Sequence, residues 1–253
     1  KYADRLDKDL DKVDYLEKIK IQQRNWIGKS EGAEIEFKVV SRQSSVVSNL
    51  EVFTTRLDTI FGCTYVVAAP EHEIIRQLAD QILNLGEVEK YLGEAKRKSD
   101  LQRTELQKEK TGVELKGIKA INPFNNEEVP VFVADYVLGH YGTGAVMAVP
   151  AHDERDFEFA KKYGLEIKVS VLPIGRSIQF GTPPSRISEV EKENIKKEAF
   201  CEDGYLIESG IFTNLTSAEA REKMAKWLEE KKLGKKVVKF HLRDWVFSRQ
   251  HYW

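Results

Sequence analysis

Cysteine is nearly absent from this 253-residue chain: Cys63 and Cys201 stand alone, with no Cys-x-x-Cys pair. A disulfide framework is therefore not expected, and a structural zinc site built on cysteines is excluded. Histidine is scarce too, with five residues (His72, His140, His152, His241, His251), four of them in unrelated contexts. No apolar run approaches the about 20 residues that span a bilayer, and no signal-like segment opens the chain. The expectation is a soluble protein of a reducing compartment, the cytoplasm, with no membrane partner. Charge of one sign is not in excess either, since 40 Lys and Arg face 41 Asp and Glu for a net −1. That argues against a strongly basic nucleic-acid-wrapping protein, although balanced totals can hide a local basic patch. No serine sits in a GxSxG elbow, and neither Ser/His/Asp nor Cys/His catalysis is signalled.

What is present is enough for a core: 41% of residues are hydrophobic and 32% are charged. Leu6, Leu10, Val13, Leu16 and Ile19 have helical spacing, which predicts a charged helical arm over residues 2–24. "AEIEFKVV" alternates and places Ile35, Phe37 and Val39 on one face of a strand. "NLEVFTT", "CTYVVAAP", "GVELKGIKA" and "EEVPVFVADYVL" read as further strands, and "GAVMAVP" as a strand buried on both faces. "EHEIIRQLADQIL", residues 88–110 and "DERDFEFAKKYG" read as helices, the last stopped by Gly164. Residues 172–188 are rich in Pro, Gly and Ser and read as a loop. "TSAEAREKMAKWLEEKKLG" carries a Thr216/Glu219 capping box and an Ala220–Met224–Trp227–Leu228 stripe, and Gly234 is its expected end. Strands and helices mix without a βαβ rhythm. The predicted fold is therefore α/β (mixed α+β): a barrel-like mixed β-sheet core with peripheral helices.

Three stretches bear on chemistry. Gly28-Lys29-Ser30 has the tail of a phosphate loop, but Gln23 stands where the pattern requires glycine, and phosphate binding of that kind is rejected. "TTRLDT", residues 54–59, sits at a strand mouth; a turn is one reading, and a pocket wall of methyls and hydroxyls is the other. In "VPAHDERD", Asp153 and Asp156 can cap a helix and complement its dipole, or hold a cation. A metal site from His152, Asp153 and Asp156 lacks the spacing of known zinc motifs, and no metal or other cofactor is expected.

Taken together, "NWIGKSEGAEIEF", "TTRLDTIFGCTY", "YGTGAVMAVPAHDERDFEFAKKYGL" and "LRDWVFSRQHYW" resemble the editing insertion of a bacterial-type leucyl-tRNA synthetase, in order and across nearly the whole chain. Asp58 and Met147 favour the leucyl over the valyl and isoleucyl branches. Leu57 stands where the family has proline, and Ala151 where glycine is common. The resemblance implies a class I synthetase editing-domain fold: residues 1–30 as an arm from the synthetase body, 31–236 as the editing domain, and 237–253 as the return toward the catalytic body. It implies a monomeric segment of a longer enzyme whose partners are that body and the 3′ end of tRNA(Leu). No ATP-dependent activation is expected, because the HIGH-type and KMSKS-type signatures are missing.

The implied reaction is post-transfer editing, hydrolysis of the ester on tRNA(Leu) mischarged with isoleucine, norvaline or methionine. One apolar pocket separates such side chains by only about 1–3 kcal/mol, so a second sieve is needed, the synthetases being the standard case. In the implied site an ionised Asp156, supported by Asp153, binds the substrate's α-ammonium, Thr54 and Thr55 hold substrate and water, and Arg56 stabilises negative charge. Thr59, with Asp58 beside it, excludes leucine. Met147, Val149, Leu138, Tyr141 and His152 line the pocket and the adenosine surface. Lys161, Lys162 and "KKLGKK" are candidate contacts to the tRNA backbone. The competing readings are a valyl-type editing domain, a non-catalytic acceptor-end binder, and metal-dependent hydrolysis.

Overall fold

The computed structural model describes residues 2–42, 44–98, 103, 110–139, 142–173, 189–240 and 242. The chain divides into two compact units, Lys1–Gly32 with Lys236–Trp253, and Ala33–Lys235.

In the first unit, α1 (Ala3–Asp9) and α2 (Glu17–Ile27) replace the continuous helix that the apolar spacing predicts. The chain turns extended at Val13, with φ −98° and ψ 142°. Leu10 is buried, whereas Leu6, Leu16 and Ile19 are exposed, so the stripe has no core to hold it in one helix. Instead Arg24 of α2 pairs with Asp7 and Asp11. Gly28, at φ 58°, closes α2 in the left-handed conformation, and β1 (Lys29–Ser41) follows at once. The Gly-Lys-Ser stretch thus joins a helix to a strand, the reverse of the strand-to-helix order that cradles phosphate.

The second unit is built on a mixed sheet. Its strands include β2 (Ser44–Thr54), β3 (Tyr65–Ala68), β4 (Gly112–Ile121), β5 (Glu128–Ala134) and β6 (Ala145–Ala148), ordered β2-β1-β4-β5-β3-β6. The β3–β5 pair is parallel, and β1–β2, β1–β4, β4–β5 and β3–β6 are antiparallel. The order is open, yet its two ends, β2 and β6, touch, which gives the sheet its barrel-like curl. Ile35, Phe37 and Val39 of β1 are fully buried, on the face that their alternation assigned. A short ribbon, β7 (Val171–Pro173) with β8 (Gly204–Leu206), lies apart.

Peripheral helices α3 (Ile74–Gln77), α4 (Leu85–Ala95), α5 (Glu154–Tyr163), α6 (Glu189–Ile195) and α7 (Ser217–Lys231) complete the fold. On α7 the capping box forms, and Ala220, Met224 and Leu228 are buried while Trp227 packs on Phe124 at 4.6 Å between ring centroids.

Several expectations need adjusting. The "EHEIIRQLADQIL" helix shrinks to α3 and a turn at Ala79–Gln81. Helix α7 ends on Lys232 in the left-handed conformation (φ 57°), not at Gly234. Gly234 instead opens β9 (Gly234–Phe240), which pairs with β1. A Cβ there would fall on the Glu34 carbonyl, so close backbone approach is what requires glycine. Cys63 precedes β3 rather than lying inside it, and burial pushes its thiol up to about 12. Leu172 belongs to β7, and the remainder of the predicted loop, 174–188, lies outside the described residues, as do 99–102, 104–109 and 243–253. Among the described residues no helix is long and apolar enough to cross a membrane.

Candidate active site

Four segments of the second unit enclose a cavity of about 380 Å³. The end of β2 and the residues after it supply Phe53, Thr54, Thr55 and Arg56; the turn after β5 supplies Tyr136, Val137 and Leu138. Strand β6 and its exit supply Val146, Met147 and Val149, and the start of α5 supplies His152, Asp153, Arg155 and Asp156. Val146 is only half-buried because it opens on the cavity, so β6 is not covered on both faces. Gly142 takes φ 65° and a Cβ there would meet the Phe53 Cβ at 3.0 Å, which fits the turn before β6 against the β2 end.

The two acids at the start of α5 divide the work. Asp153 is the N-cap: its Oδ1 accepts from the backbone N–H of Arg155 (2.8 Å) and of Asp156 (3.2 Å), and its carboxylate pairs with the Arg155 guanidinium. Asp156 sits in the first turn, where the helix dipole favours an acid. Its Oδ2 accepts from Val149 N–H at 2.9 Å, and Tyr65 Oη donates to its backbone carbonyl at 3.1 Å. The residue is only 7% exposed. Burial first, and the Asp153 charge second, push its carboxyl up to about 8, against the help of Val149 N–H, Arg155 and Tyr136. The ionised Asp156 that the resemblance implies is thus opposed by its own burial and by the Asp153 charge.

The Thr-Thr-Arg stretch is a tight turn with a buried anion beneath it. Thr54 Oγ1 accepts from Arg56 N–H at 3.0 Å, and Thr55 is exposed at the cavity edge. Arg56 turns toward protein: Nε and Nη2 reach the Asp58 carboxylate at 3.2 and 3.0 Å, and Nη1 and Nη2 donate to the carbonyls of Cys201 and Glu202. Asp58 and Thr59 are fully buried and are not on the cavity wall. Thr59 Oγ1 donates to the Arg56 carbonyl at 2.8 Å. The turn Leu57–Gly62 ends where a Cβ on Gly62 would lie 2.8 Å from the Lys168 carbonyl and 2.9 Å from Ser170 Oγ. Leu57 is buried in the core.

His152 is a structural clasp. Its Nε2 accepts from the backbone N–H of both Ser170 and Val171 at 3.1 Å, which leaves Nδ1 to carry the proton and donate to the Phe200 carbonyl at 3.0 Å. Burial pushes its pKa down to about 4. Both ring nitrogens are thus committed to backbone. Among the described residues no group of three His, Cys, Asp or Glu has the arrangement of a metal site.

The structure therefore brings Thr54, Thr55, Arg56, Leu138, Met147, Val149, His152, Asp153 and Asp156 to one cavity, and sets Asp58 and Thr59 behind its edge. Tyr141 lies outside the described residues. Sequence reasoning missed Tyr136, whose buried hydroxyl faces Asp156 and Tyr65, and Arg155 on the same wall. The only signal for Tyr136 was an aromatic ending a strand-like run, and such residues are most often core. Lys161 and Lys162 donate to the carbonyls of Lys197 and Lys110, and Lys161 also lies over the Phe157 ring.

Comparison with known proteins gives concordant results. Residues 24–229 match the family described as "Leucyl-tRNA synthetase, editing domain". A leucine–tRNA ligase of Alkaliphilus oremlandii is 46% identical over 254 residues, covering 100% of this chain and 29% of the relative. Among solved structures, the ternary complex of an Agrobacterium radiobacter LeuRS with tRNA and LeuAMS superposes with a TM-score of 0.70 at 32% identity, over 97% of this chain and 25% of that one. The chain thus spans less than a third of the length of these relatives.

Proposed function

The chain belongs to the family of leucyl-tRNA synthetase editing domains, and from that premise we propose that it hydrolyses the ester of aminoacyl-tRNA(Leu) carrying the wrong amino acid. The observation that carries the reading is one cavity, of a size suited to a small ligand, that holds a buried carboxyl, Asp156, against the Thr54–Arg56 turn. An aminoacyl ester differs from most esters in its free α-ammonium. That cation adds to Arg155 a second positive charge that favours the ionised Asp156, in a charge-assisted contact supported by Val149 N–H. Asp153 acts through the helix: it fixes the first turn of α5 and so the position of Asp156.

In the proposed reaction a water oxygen bonds to the ester carbonyl carbon and the ester C–O bond breaks. The free amino acid leaves, and the ribose oxygen takes up a proton. Thr54 and Thr55 position substrate and water, and the neighbouring ribose hydroxyl assists. Arg56 holds the turn through Asp58 and the 201–202 carbonyls. Thr59, off the cavity wall and bonded to the Arg56 carbonyl directly behind that edge, backs the wall, and through it the pocket spares leucine. Met147, Val149 and Leu138 line the apolar side.

The test is release of amino acid from isoleucyl-tRNA(Leu) and leucyl-tRNA(Leu), by the chain alone and within a full-length ligase. Selective loss of isoleucine is expected. Asp156→Ala should abolish it with the fold intact, and Thr59→Ala should open leucyl-tRNA to attack. A protein that retards tRNA in a gel but releases nothing in either setting is a binder, and the reading fails.

A further inference from the structure

Helix α7 lies outside the cavity, yet one of its side chains reaches the anion beneath the Thr-Thr-Arg turn. Arg221 forms a two-bond fork with Asp203, Nη1 to Oδ1 at 2.9 Å and Nη2 to Oδ2 at 2.7 Å, and its Nη1 also stands 3.4 Å from Asp58 Oδ1. Asp58 is therefore shared: Arg56 holds it from the cavity side and Arg221 from the helix side. Its side chain is 0% exposed, and such a carboxylate depends on full neutralisation by its neighbours. The same fork fixes Asp203, and the two residues before it supply the carbonyls that receive the Arg56 guanidinium. Arg56 and Asp203 themselves are 3.9 Å apart, so the four groups form one closed set of two cations and two anions. Among the described residues, the side-chain partners of Arg56 are Asp58 and the 201–203 segment, and Arg221 touches both Asp58 and Asp203.

We propose that Arg221 is a positioning residue for the proposed hydrolysis: it sets Arg56, and with it the Thr54–Thr55 edge, from outside the pocket by holding Asp58 and Asp203. The inference rests on the editing reading. It predicts an effect on turnover rather than on capture of the substrate, because Asp156, the cation anchor, belongs to α5 and has none of these partners. With Arg221 gone, Arg56 alone must neutralise Asp58 and is drawn toward it and Asp203. A displacement of the edge by about 1 Å is enough to lower a positioned reaction on the order of 100-fold.

The experiment compares wild type, Arg221→Gln, Arg221→Lys, Asp58→Asn and the Asp58→Asn/Arg221→Gln double variant. Release of isoleucine from isoleucyl-tRNA(Leu) is measured in the full-length ligase carrying this domain. Amide hydrogen exchange over residues 54–62 is read in parallel. Arg221→Gln should lower kcat about 10- to 100-fold with KM within about twofold and should speed exchange in residues 54–62. Arg221→Lys, which restores the charge without the fork, should recover part of the rate. The double variant should lose less than the product of the two single losses, since the two changes share the Asp58 contact. Wild-type kcat and exchange in Arg221→Gln would overturn the inference. So would rate losses that multiply in the double variant, or exchange accelerated evenly across residues 33–235. If wild type itself releases nothing, the editing reading has failed, and the exchange at 54–62 alone decides whether Arg221 orders the turn.

Discussion

At the scale of single residues, two buried groups at the cavity titrate in opposite senses. Asp156 has its folded pKa raised to about 8, from an ordinary value of 3.8. The native state therefore keeps a proton that the unfolded chain releases. Its contribution to stability is fully present below pH 4 and is lost as pH rises through about 8. His152 has its folded pKa lowered to about 4 from 6.5, so its contribution is present above pH 6.5 and is lost as pH falls through about 4. The two slopes oppose each other between pH 4 and 6.5, and above 6.5 Asp156 acts alone. Unfolding by denaturant at pH 6.5 and 8.5 should show wild type losing stability on the order of a few kcal/mol, each pH unit being worth about 1.4. Asp156→Asn should be nearly flat over the same interval. An equal slope in both proteins would mean that Asp156 is ionised in the folded protein. The same burial explains why the acid was legible and its charge state was not. The spacing of Asp153 and Asp156 marks a helix start, but the loss of water around one of them comes from β6 and the 136–138 turn.

At the scale of elements, α5 is the device that aims the site. Its cap Asp153 and the proposed anchor Asp156 are three residues apart, so one backbone turn orients both. Asp153→Ser keeps a capping oxygen and removes the charge, whereas Asp153→Ala removes both. If Asp153 serves through the cap, the Ala variant should lose about 1 kcal/mol of stability and much of the activity, and the Ser variant should keep most of each. Equal activity loss in the two variants, measured beside thermal melts, would instead give the Asp153 charge a direct part in the reaction. Helix termini were readable because caps are local: Gly164 and the Thr216/Glu219 box stand where the residues themselves dictate. Gly234 was misassigned because its requirement is a carbonyl on a different strand, Glu34, far away in sequence.

At the scale of the whole molecule, the main hydrophobic cluster, from Ala33 to Leu228, is contained within residues 33–235. The two smaller clusters lie inside the same span. A chain cut to residues 33–235 is therefore expected to fold cooperatively and to keep the cavity, with a melting temperature within about 4 °C of the intact chain, the shift that 1 kcal/mol produces in a domain of about 200 residues. A truncated protein lacking a cooperative thermal transition by circular dichroism would show that residues 1–32 and 236–253 are part of the folding unit.

The sequence by itself determined the elements with strong local patterns. These are the alternating β1 face of Ile35, Phe37 and Val39, the capped helices α5 and α7, and the motifs that place the chain in its family. Each depends on residues within a few positions of one another, where periodicity and capping chemistry act. Only the tertiary structure decided where the site residues lie and what they touch. It set Asp58 and Thr59 behind the cavity edge and turned Arg56 inward to the 201–202 carbonyls. It made a clasp of His152, set the Tyr136 hydroxyl beside Asp156, and brought Arg221 of α7 to Asp58, 163 positions away in sequence. Those outcomes rest on burial and on partners from distant segments, and neither is encoded in local spacing.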